Sequence, residues 1–219
     1  IFEQLIESGA PTAVRNRVWF HLAKIRYQRG YLAEAEQALA RIEGRLPGDL
    51  DDERQILHAT LLMGRQEYRQ AADLLSGLRS KSDWVHYGRY NLGVALIKAG
   101  DTEKGVALLE QVGRAPVQGE ELAALRDKAN VALGFTNLQD GWPELARTYL
   151  ERVRLDGLMS NKALLGMGWA YSARDEQESA LVHWSELQGR NRLDGAVQES
   201  LMAVPYALGK LGAYQRSLE

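Results

Sequence analysis

Four histidines are the side chains of this sequence best suited to bind a metal or act as general bases. His21, His58, His86 and His183 are far apart along the chain. No two of them have the i, i+4 spacing that places two ligands on one helix face, and no HExxH motif occurs. We therefore expect these histidines to be structural or solvent-exposed.

Other catalytic motifs are incomplete or missing. The stretch GMGWAY, which starts at Gly166, begins like a dinucleotide-binding fingerprint but lacks its third glycine, and no strand pattern precedes it. Neither GxSxG nor GxxxxGK[ST] occurs. The carboxylate pairs Asp51-Asp52 and Glu120-Glu121 fall at predicted helix starts, where the helix macrodipole favours negative charge. The sequence predicts no catalytic activity, no metal and no cofactor for this chain.

Composition narrows the classes of function further. The 219 residues are 45% hydrophobic, enough for one or two domains, and the net charge of -2 gives no bulk attraction to nucleic acid or anionic lipid. The absence of cysteine excludes disulfides and thiolate chemistry, and the apolar runs are too short to span a bilayer. Arginine outnumbers lysine, a bias that resembles proteins of bacteria with GC-rich genomes. Together with the lack of cysteine, this bias favours the bacterial cell envelope or periplasm as the location of the protein.

Small residues recur along the chain at nearly regular steps of 36, 34, 41, 34 and 37 residues. We call these the small-residue positions: Ala23, Ala59, Gly93, Gly134, Gly168 and Pro205. Seven residues after most of them comes a helix breaker: Gly30, Gly100, Gly141, Asp175 and Gly212. Twelve residues after comes a second small residue: Ala35, Ala71, Gly105, Ala146, Ala180 and Ser217.

Each period predicts a helix, a tight turn and a second helix. Small residues on facing helices allow close backbone approach, and glycine or aspartate suits the turn. Large apolar residues then follow at helical spacing, such as Leu150 with Val153 and Trp184 with Leu187. Because one such unit cannot bury its own apolar face, the units must stack. The sequence therefore predicts an all-α fold, an α-solenoid that forms a right-handed superhelix.

The residues of this pattern resemble the tetratricopeptide repeat family, whose signature is W-x₂-L-G-x₂-Y in a first helix and A-x₃-F-x₂-A in a second. The matching residues are Trp19, Leu22, Ala23, Leu92, Gly93, Leu133, Gly134, Gly168 and Tyr171, with Pro47 where a second helix ends. The resemblance implies repeats at about 16–49, 52–85, 86–119, 127–160 and 161–194, a partial one at 198–219, and the end of a preceding repeat at 1–15. On this interpretation residues 1–219 are a single solenoid, a segment of a longer array.

Two positions depart from the regular pattern. The step of 41 residues adds seven residues near Gly113 to Leu122, which predicts a longer loop or an early start to the next helix. Pro205 occupies a small-residue position and removes a backbone donor, so we expect it to kink or shorten its helix.

A second row of side chains in the first helices lies at i, i+4 and i+7. Its members are Phe20, Lys24, Tyr27, Ile56, Thr60, Met63, Tyr90, Val94, Ile97, Val131, Phe135, Leu138, Leu165, Trp169, Ser172, Met202, Tyr206 and Gly209. The family resemblance implies that first helices line a concave inner surface. The aliphatic members suit packing between neighbouring first helices, whereas one bulky aromatic residue per repeat is harder to bury.

The row predicts a groove that binds another protein. The candidate partner-binding residues are Phe20, Lys24, Tyr27, Tyr87, Tyr90, Phe135, Trp169 and Tyr206. Aromatic side chains are common anchors of binding hot spots. The chaperone-tail clamp of Lys, Asn and Arg found in one subfamily is not reproduced, because only Asn91 has a matching type. An aromatic and apolar groove favours a hydrophobic peptide or helix as the partner.

Two alternatives remain beside a protein-interaction scaffold without catalysis. The array self-associates through uncapped ends or through its groove, forming a homo-oligomer, or it is the regulatory or docking domain of a larger enzyme. A nucleic-acid partner would require a basic stripe, and Lys24, Lys128 and Lys162 are too sparse for one against 29 acidic residues. No membrane insertion by this segment is expected.

Overall fold

The computed structural model describes residues 10–79 and 81–213, and throughout these ranges the regular structure is helical, with no strand. The helices are α1 Thr12–Gln28, α2 Leu32–Ala40, α3 Asp49–Gly64, α4 Tyr68–Ser76, α5 Trp84–Ala99, α6 Thr102–Gly113, α7 Glu120–Gln139, α8 Pro143–Leu150, α9 Ser160–Ser172, α10 Gln177–Gln188 and α11 Gly195–Lys210. Odd-numbered helices up to α9 are first helices, each paired with the even-numbered second helix that follows, and α11 has the pattern of a first helix. The predicted all-α solenoid of helical pairs is confirmed.

All six first helices of the described structure end in the same left-handed turn. The residue at positive φ is Gly30, Gln66, Gly100, Gly141, Asp175 or Gly212, with φ between 64° and 96° at these six positions. In each turn the next backbone N–H donates to the carbonyl five residues back, as from Tyr31 to Arg26 and from Ala213 to Leu208, both at 2.9 Å. This is the Schellman arrangement, which satisfies carbonyls that a helix end leaves free. The predicted breakers at Gly30, Gly100, Gly141, Asp175 and Gly212 all occupy it.

The chain forms two compact units, residues 1–108 and 109–219, with the boundary inside α6. In the first unit two apolar clusters form between successive helical pairs. One is built on Phe20, Ala23 and Leu57 from α1 and α3, and the other on Ile56 and Ala95 from α3 and α5. The α5 and α6 backbones approach closely, because a Cβ on Gly105 would lie 2.6 Å from the Gly93 carbonyl oxygen.

The second unit is organised in the same way. One cluster joins Val131 of α7 to Leu150 of α8 and Met167 of α9, and the other centres on the fully buried Trp184 of α10. A Cβ on Gly168 would lie 2.1 Å from Trp184 Nε1, so only glycine leaves room for this indole. The glycines of GMGWAY thus serve helix packing, as the sequence predicts.

Buried polar side chains tie the beginnings of first helices to neighbouring segments. Asn16 of α1 donates to the Glu43 carbonyl at 2.7 Å and accepts from the Glu43 N–H at 3.1 Å. Asp127 of α7 accepts from Arg154 Nε at 2.7 Å across the same sequence separation of 27 residues. Both residues lie seven positions before a small-residue position, so the contact is a repeated feature of the fold.

The two positions that depart from the repeat pattern, the insertion after Gly113 and Pro205, differ in how well their predicted effects agree with the structure. The insertion after Gly113 gives both predicted features, a connection at 114–119 and a 20-residue α7. Of the two effects expected of Pro205, a kinked or a shortened helix, the shortening is wrong, since α11 continues past Pro205 to Lys210, and the kink stays a prediction. Pro205 lies on the exposed side, next to the exposed Leu201 whose carbonyl it would otherwise bind, so water can satisfy that carbonyl.

Two of the predicted segments fall on residues at the ends of the chain. Most of the predicted preceding repeat (1–9) and Ser217 lie outside the described residues. The repeat boundaries and the single-solenoid organisation stay predictions. No helix in the described ranges is long and apolar enough to cross a membrane.

Candidate protein-interaction surface

The side chains that could bind a metal or act as bases do not come together in one place within the described residues. Within residues 10–79 and 81–213, no group of three or more His, Asp or Glu side chains is placed to hold a metal ion. His183 stacks on Tyr171 at 5.1 Å between ring centroids, and its Nδ1 lies 2.9 Å from the Ser179 carbonyl. His58 is half-buried, and burial followed by the charge of Arg54 lowers its pKa. The side chains of His58 and His183 thus take part in packing and hydrogen bonding within the fold.

In the first unit, the structure places one candidate groove residue in the core. Phe20 has no exposed surface and packs in the cluster with Leu57 and Leu61, so its prediction as a partner-binding residue is wrong. Its sequence position gives it the same helix face as the other candidates, but α3 covers it. Lys24 lies 5.7 Å from the Phe20 ring centroid and forms an ion pair with Glu53 of α3.

The three tyrosine candidates of this unit differ in exposure. Tyr27 is 37% exposed at the end of α1. Tyr87 packs against the second cluster, with its ring 5.3 Å from that of Trp84. Burial raises the pKa of Tyr90 to about 12, which is the behaviour of a phenol largely removed from solvent. Of these three tyrosines, Tyr27 has the most exposed side chain, and Tyr87 and Tyr90 are partly buried.

In the second unit the aromatic candidates form contacts between successive first helices. Phe135 of α7 packs at Gly166 of α9, where an added Cβ would lie 3.2 Å from the ring. Trp169 of α9 meets the edge of Trp184 at 4.8 Å and lies 6.3 Å from Tyr206 of α11. Its Nε1 donates to Glu199 Oε1 of α11 at 2.8 Å. Phe135 and Trp169 therefore contribute to packing and keep only part of their surface in solvent.

One position of the row shows where apolar surface stays uncovered. Three residues before each small-residue position lie Phe20, Ile56, Tyr90, Val131, Leu165 and Met202. Phe20, Ile56, Val131 and Leu165 are at most 8% exposed, whereas Met202 is 78% exposed. Tyr206, one turn further along α11, is 47% exposed. We call Met202 and Tyr206, together with the adjoining Trp169 and Glu199, the α11 face.

The α11 face combines apolar and charged groups. Lys210 lies 5.9 Å from the Tyr206 ring centroid, and Glu199 is an exposed carboxylate whose Oε1 binds the indole N–H of Trp169. Sequence reasoning included Met202 in the row but not among the candidate residues, and it did not single out Glu199. Neither could be singled out from sequence, because their exposure depends on which first helix lacks a covering helix among the described residues.

Comparisons with known proteins agree with this architecture. A family model described as "Tetratricopeptide repeat" matches residues 87–115. A solved structure titled "MamA MSR-1 C2" has a TM-score of 0.56 and 22% identity, covering 76% of this chain and 87% of that one. Another, "MamA AMB-1 P212121", has a TM-score of 0.58 and 23% identity, covering 76% and 84%. No curated protein matches the chain.

Proposed function

We propose that this chain is an interaction scaffold that binds a segment of another polypeptide on the α11 face. Its fold and its family match support a repeat protein of the tetratricopeptide type. The match and the fold likeness support a role in protein interaction or assembly in general. The particular site is our inference from packing. The proposal assigns no catalytic step to the chain.

One observation carries the proposal, namely the 78% exposure of Met202 at a position where Leu165 is 4% exposed. The side chains at this position are aliphatic, thioether or aromatic in all six described first helices, and in α1, α3, α7 and α9 they are buried. Within residues 10–79 and 81–213 this member of the row is exposed, and an exposed apolar surface of this kind suits packing by one more helix or extended segment of another polypeptide.

The chemistry of the α11 face indicates the type of segment. Met202 is a flexible apolar side chain that adapts to different partner shapes, and Tyr206 offers a large rigid surface with a hydroxyl group. We expect an amphipathic helix or an apolar peptide whose anchors bury these two side chains. Trp169 holds α9 against α11 through its contacts with Glu199 and Tyr206, and Phe135 packs α7 against α9.

A pull-down from a lysate of the source organism, read by mass spectrometry, tests the proposal. The variant Met202→Ser with Tyr206→Ser removes the exposed part of the α11 face. Val182→Ser is the matched control, since Val182 is 68% exposed on α10 and is not part of that face. Replacing Trp169 or Phe135 would not be informative, because both also pack within the unit.

The expected result is at least one protein retained by the parent chain and by the Val182→Ser control but lost from the double variant. Circular dichroism would show that all three chains are folded. If the double variant recovers the same proteins as the parent, the α11 face is not the binding site.

A further inference from the structure

We propose that a cleft in the first unit binds a small apolar carboxylate, of the chemical class of a medium-chain fatty acid. The cleft encloses about 310 Å³, at the small end of the range of about 300–1,000 Å³ that is usual for ligand pockets. We call it the arginine cleft, and it is lined by Leu75, Ser76, Leu78, Arg79, Val85, Gly88, Arg89, Leu92 and Leu108.

The arginine cleft is separate from the α11 face. All of its lining residues belong to the first unit, and they come from α4, from the connection that follows it, from α5 and from α6. The α11 face belongs to the second unit. The inference therefore goes beyond the proposed function and does not depend on it.

Five of the lining side chains are aliphatic. Leu75 of α4 is 3% exposed, and Leu78 and Leu92 pack against the apolar cluster that joins α3 and α5. Val85 of α5 and Leu108 of α6 are half-buried. These side chains offer apolar surface on which a hydrocarbon chain can be removed from water, and the small volume suits one short chain.

Both charged side chains of the lining are arginines. Arg79 and Arg89 are exposed, and among the described residues no Asp or Glu lines the cleft with them. Arg79 Nη1 donates to the Ser76 carbonyl at 2.8 Å and to the Leu78 carbonyl at 3.2 Å. These two bonds hold the guanidinium at the end of α4 and do not use its Nε–H or Nη2–H groups.

Arg89 is the second cation of the cleft. Within residues 10–79 and 81–213 its guanidinium forms no ion pair. A carboxylate beside Arg79 and Arg89 would accept charge-assisted hydrogen bonds from both, and guanidinium groups match the planar shape of a carboxylate. The charge of the lining therefore favours an anion at one end of the ligand.

The remaining polar group favours a free carboxylate over the end of a peptide. Ser76 is the other polar side chain of the lining, and its hydroxyl already donates to the Asp73 carbonyl at 2.8 Å. A peptide would bring N–H and C=O groups onto the aliphatic side chains, where unpaired polar groups are costly. An alkyl carboxylate has no polar group between its chain and its charged end.

Isothermal titration calorimetry of the full 219-residue chain with hexanoate, octanoate and decanoate tests the inference. Each added methylene group should tighten binding about fourfold until the chain fills the cleft, after which the affinity should level off. Octan-1-ol and octylamine carry the same chain without a negative charge. They should bind at least about tenfold more weakly than octanoate.

Variants of one arginine test the charged end of the site. Arg89→Ala should weaken octanoate binding about tenfold, and Arg89→Glu should weaken it further, because a carboxylate then faces the ligand. Arg89 is exposed, so both variants should fold, which circular dichroism would show. Arg69→Ala is the matched control and should bind as the parent does, since Arg69 is an exposed arginine of α4 that does not line this cleft.

Methyl spectra of the chain labelled at leucine and valine give the location of the ligand. Octanoate should shift the methyl resonances of Leu78, Val85 and Leu108, which line the cleft, and leave those of Val14 and Val182 unchanged. Shifts confined to exposed valines and leucines elsewhere would mean adsorption to apolar surface and would overturn the inference.

Three further results would also overturn it: no saturable binding of octanoate, equal binding of octan-1-ol or octylamine, or an Arg89→Glu variant that binds like the parent. So would a leucine-ended peptide that binds where octanoate does not, since the ligand would then be the terminus of a polypeptide. The Met202→Ser, Tyr206→Ser double variant should bind octanoate normally. Failure of the arginine cleft and failure of the α11 face are thus distinguishable.

Discussion

Leu165 of α9 and Met202 of α11 occupy equivalent helical positions, three residues before Gly168 and Pro205, yet they are 4% and 78% exposed. Leu165 is covered because α11 and α10 pack over it in the cluster around Trp184. Within the described residues no helix covers Met202 in that way. The same row of the repeat therefore serves as core in one helix and as surface in the next.

This difference predicts unequal costs for the same substitution. Leu165→Ala should lower the free energy of unfolding by about 2–5 kcal/mol, because it leaves a cavity in the core. Met202→Ala should change it by less than about 0.5 kcal/mol in dilute solution, because little contact is lost. Urea unfolding of the two variants beside the parent measures both values. A large loss for Met202→Ala at low concentration would mean that a part of the chain covers the α11 face.

The six left-handed turns predict which substitutions stabilise the chain. Gln66 and Asp175 are the non-glycine residues at positive φ in the described structure, both at 64°. Since glycine adopts this conformation without steric cost, Gln66→Gly should raise the free energy of unfolding by about 0.5–1 kcal/mol. Gly100→Ala, at φ 96°, should lower it by about 1 kcal/mol.

Gly64 provides the matched control for these turn variants. It is the last residue of α3, lies outside the left-handed region, and has open space where a Cβ would be. Gly64→Ala should therefore be neutral or stabilising by up to about 1 kcal/mol, since alanine favours the helix. If Gly64→Ala and Gly100→Ala had equal effects, the left-handed turn would not explain the choice of glycine at Gly100.

The contact of Gly168 with Trp184 predicts strong sensitivity to a single methyl group. The added Cβ of Gly168→Ala would overlap the fully buried indole, whose Nε1 donates to the Leu165 carbonyl at 3.2 Å. We expect a loss of about 1–3 kcal/mol in the free energy of unfolding, measured by thermal or urea denaturation. Gly195→Ala, with nothing within 4 Å of the new Cβ, is the control and should be close to neutral.

Asp51 predicts a pH dependence of stability. Burial would raise the pKa of its carboxyl group, but hydrogen bonds from Arg54 and the Leu46 N–H, with the charge of Arg54, hold the pKa below its ordinary value of 3.8. A group with a lowered folded-state pKa stabilises the fold above its ordinary pKa, and this contribution is lost as pH falls through the folded-state value.

The variant Asp51→Asn should therefore be less stable than the parent at neutral pH by about 1–2 kcal/mol, and the difference should shrink between about pH 5 and about pH 2. Urea unfolding across this range measures it. Asp49→Asn is the control, because Asp49 is an exposed carboxylate in the same first turn of α3. A constant difference across the pH range would contradict the assigned role of the Asp51 charge.

The helical pairs and their turns could be predicted from sequence because small residues and glycines are needed wherever backbones approach or turn. Gly168 and Gly30 are required by a close indole and a left-handed φ, so their positions mark the repeat. Gln66 was missed because nothing in its residue type indicates a left-handed turn. There the geometry is imposed by the helices α3 and α4 on either side.

The candidate surface was harder to predict, since Phe20 and Met202 have equivalent positions and are both large and apolar. Whether such a residue is core or surface depends on a neighbouring first helix, which a single repeat does not encode. The burial of Asp51 was likewise unexpected, because a carboxylate in a first helical turn also suits an exposed position. Its Arg45, Leu46 and Arg54 contacts come from the preceding connection and the same helix.

The most direct test of the central claim is site-specific photo-crosslinking in cells of the source organism. A photoreactive phenylalanine analogue would replace Met202 in one strain and Val182 in another, and irradiated products would be separated by mass and identified. We predict a discrete crosslinked polypeptide from position 202, either a second copy of the chain or another protein, and none of that mass from position 182. No product at position 202, or the same products at both positions, would contradict the assignment of the α11 face as a protein-binding site.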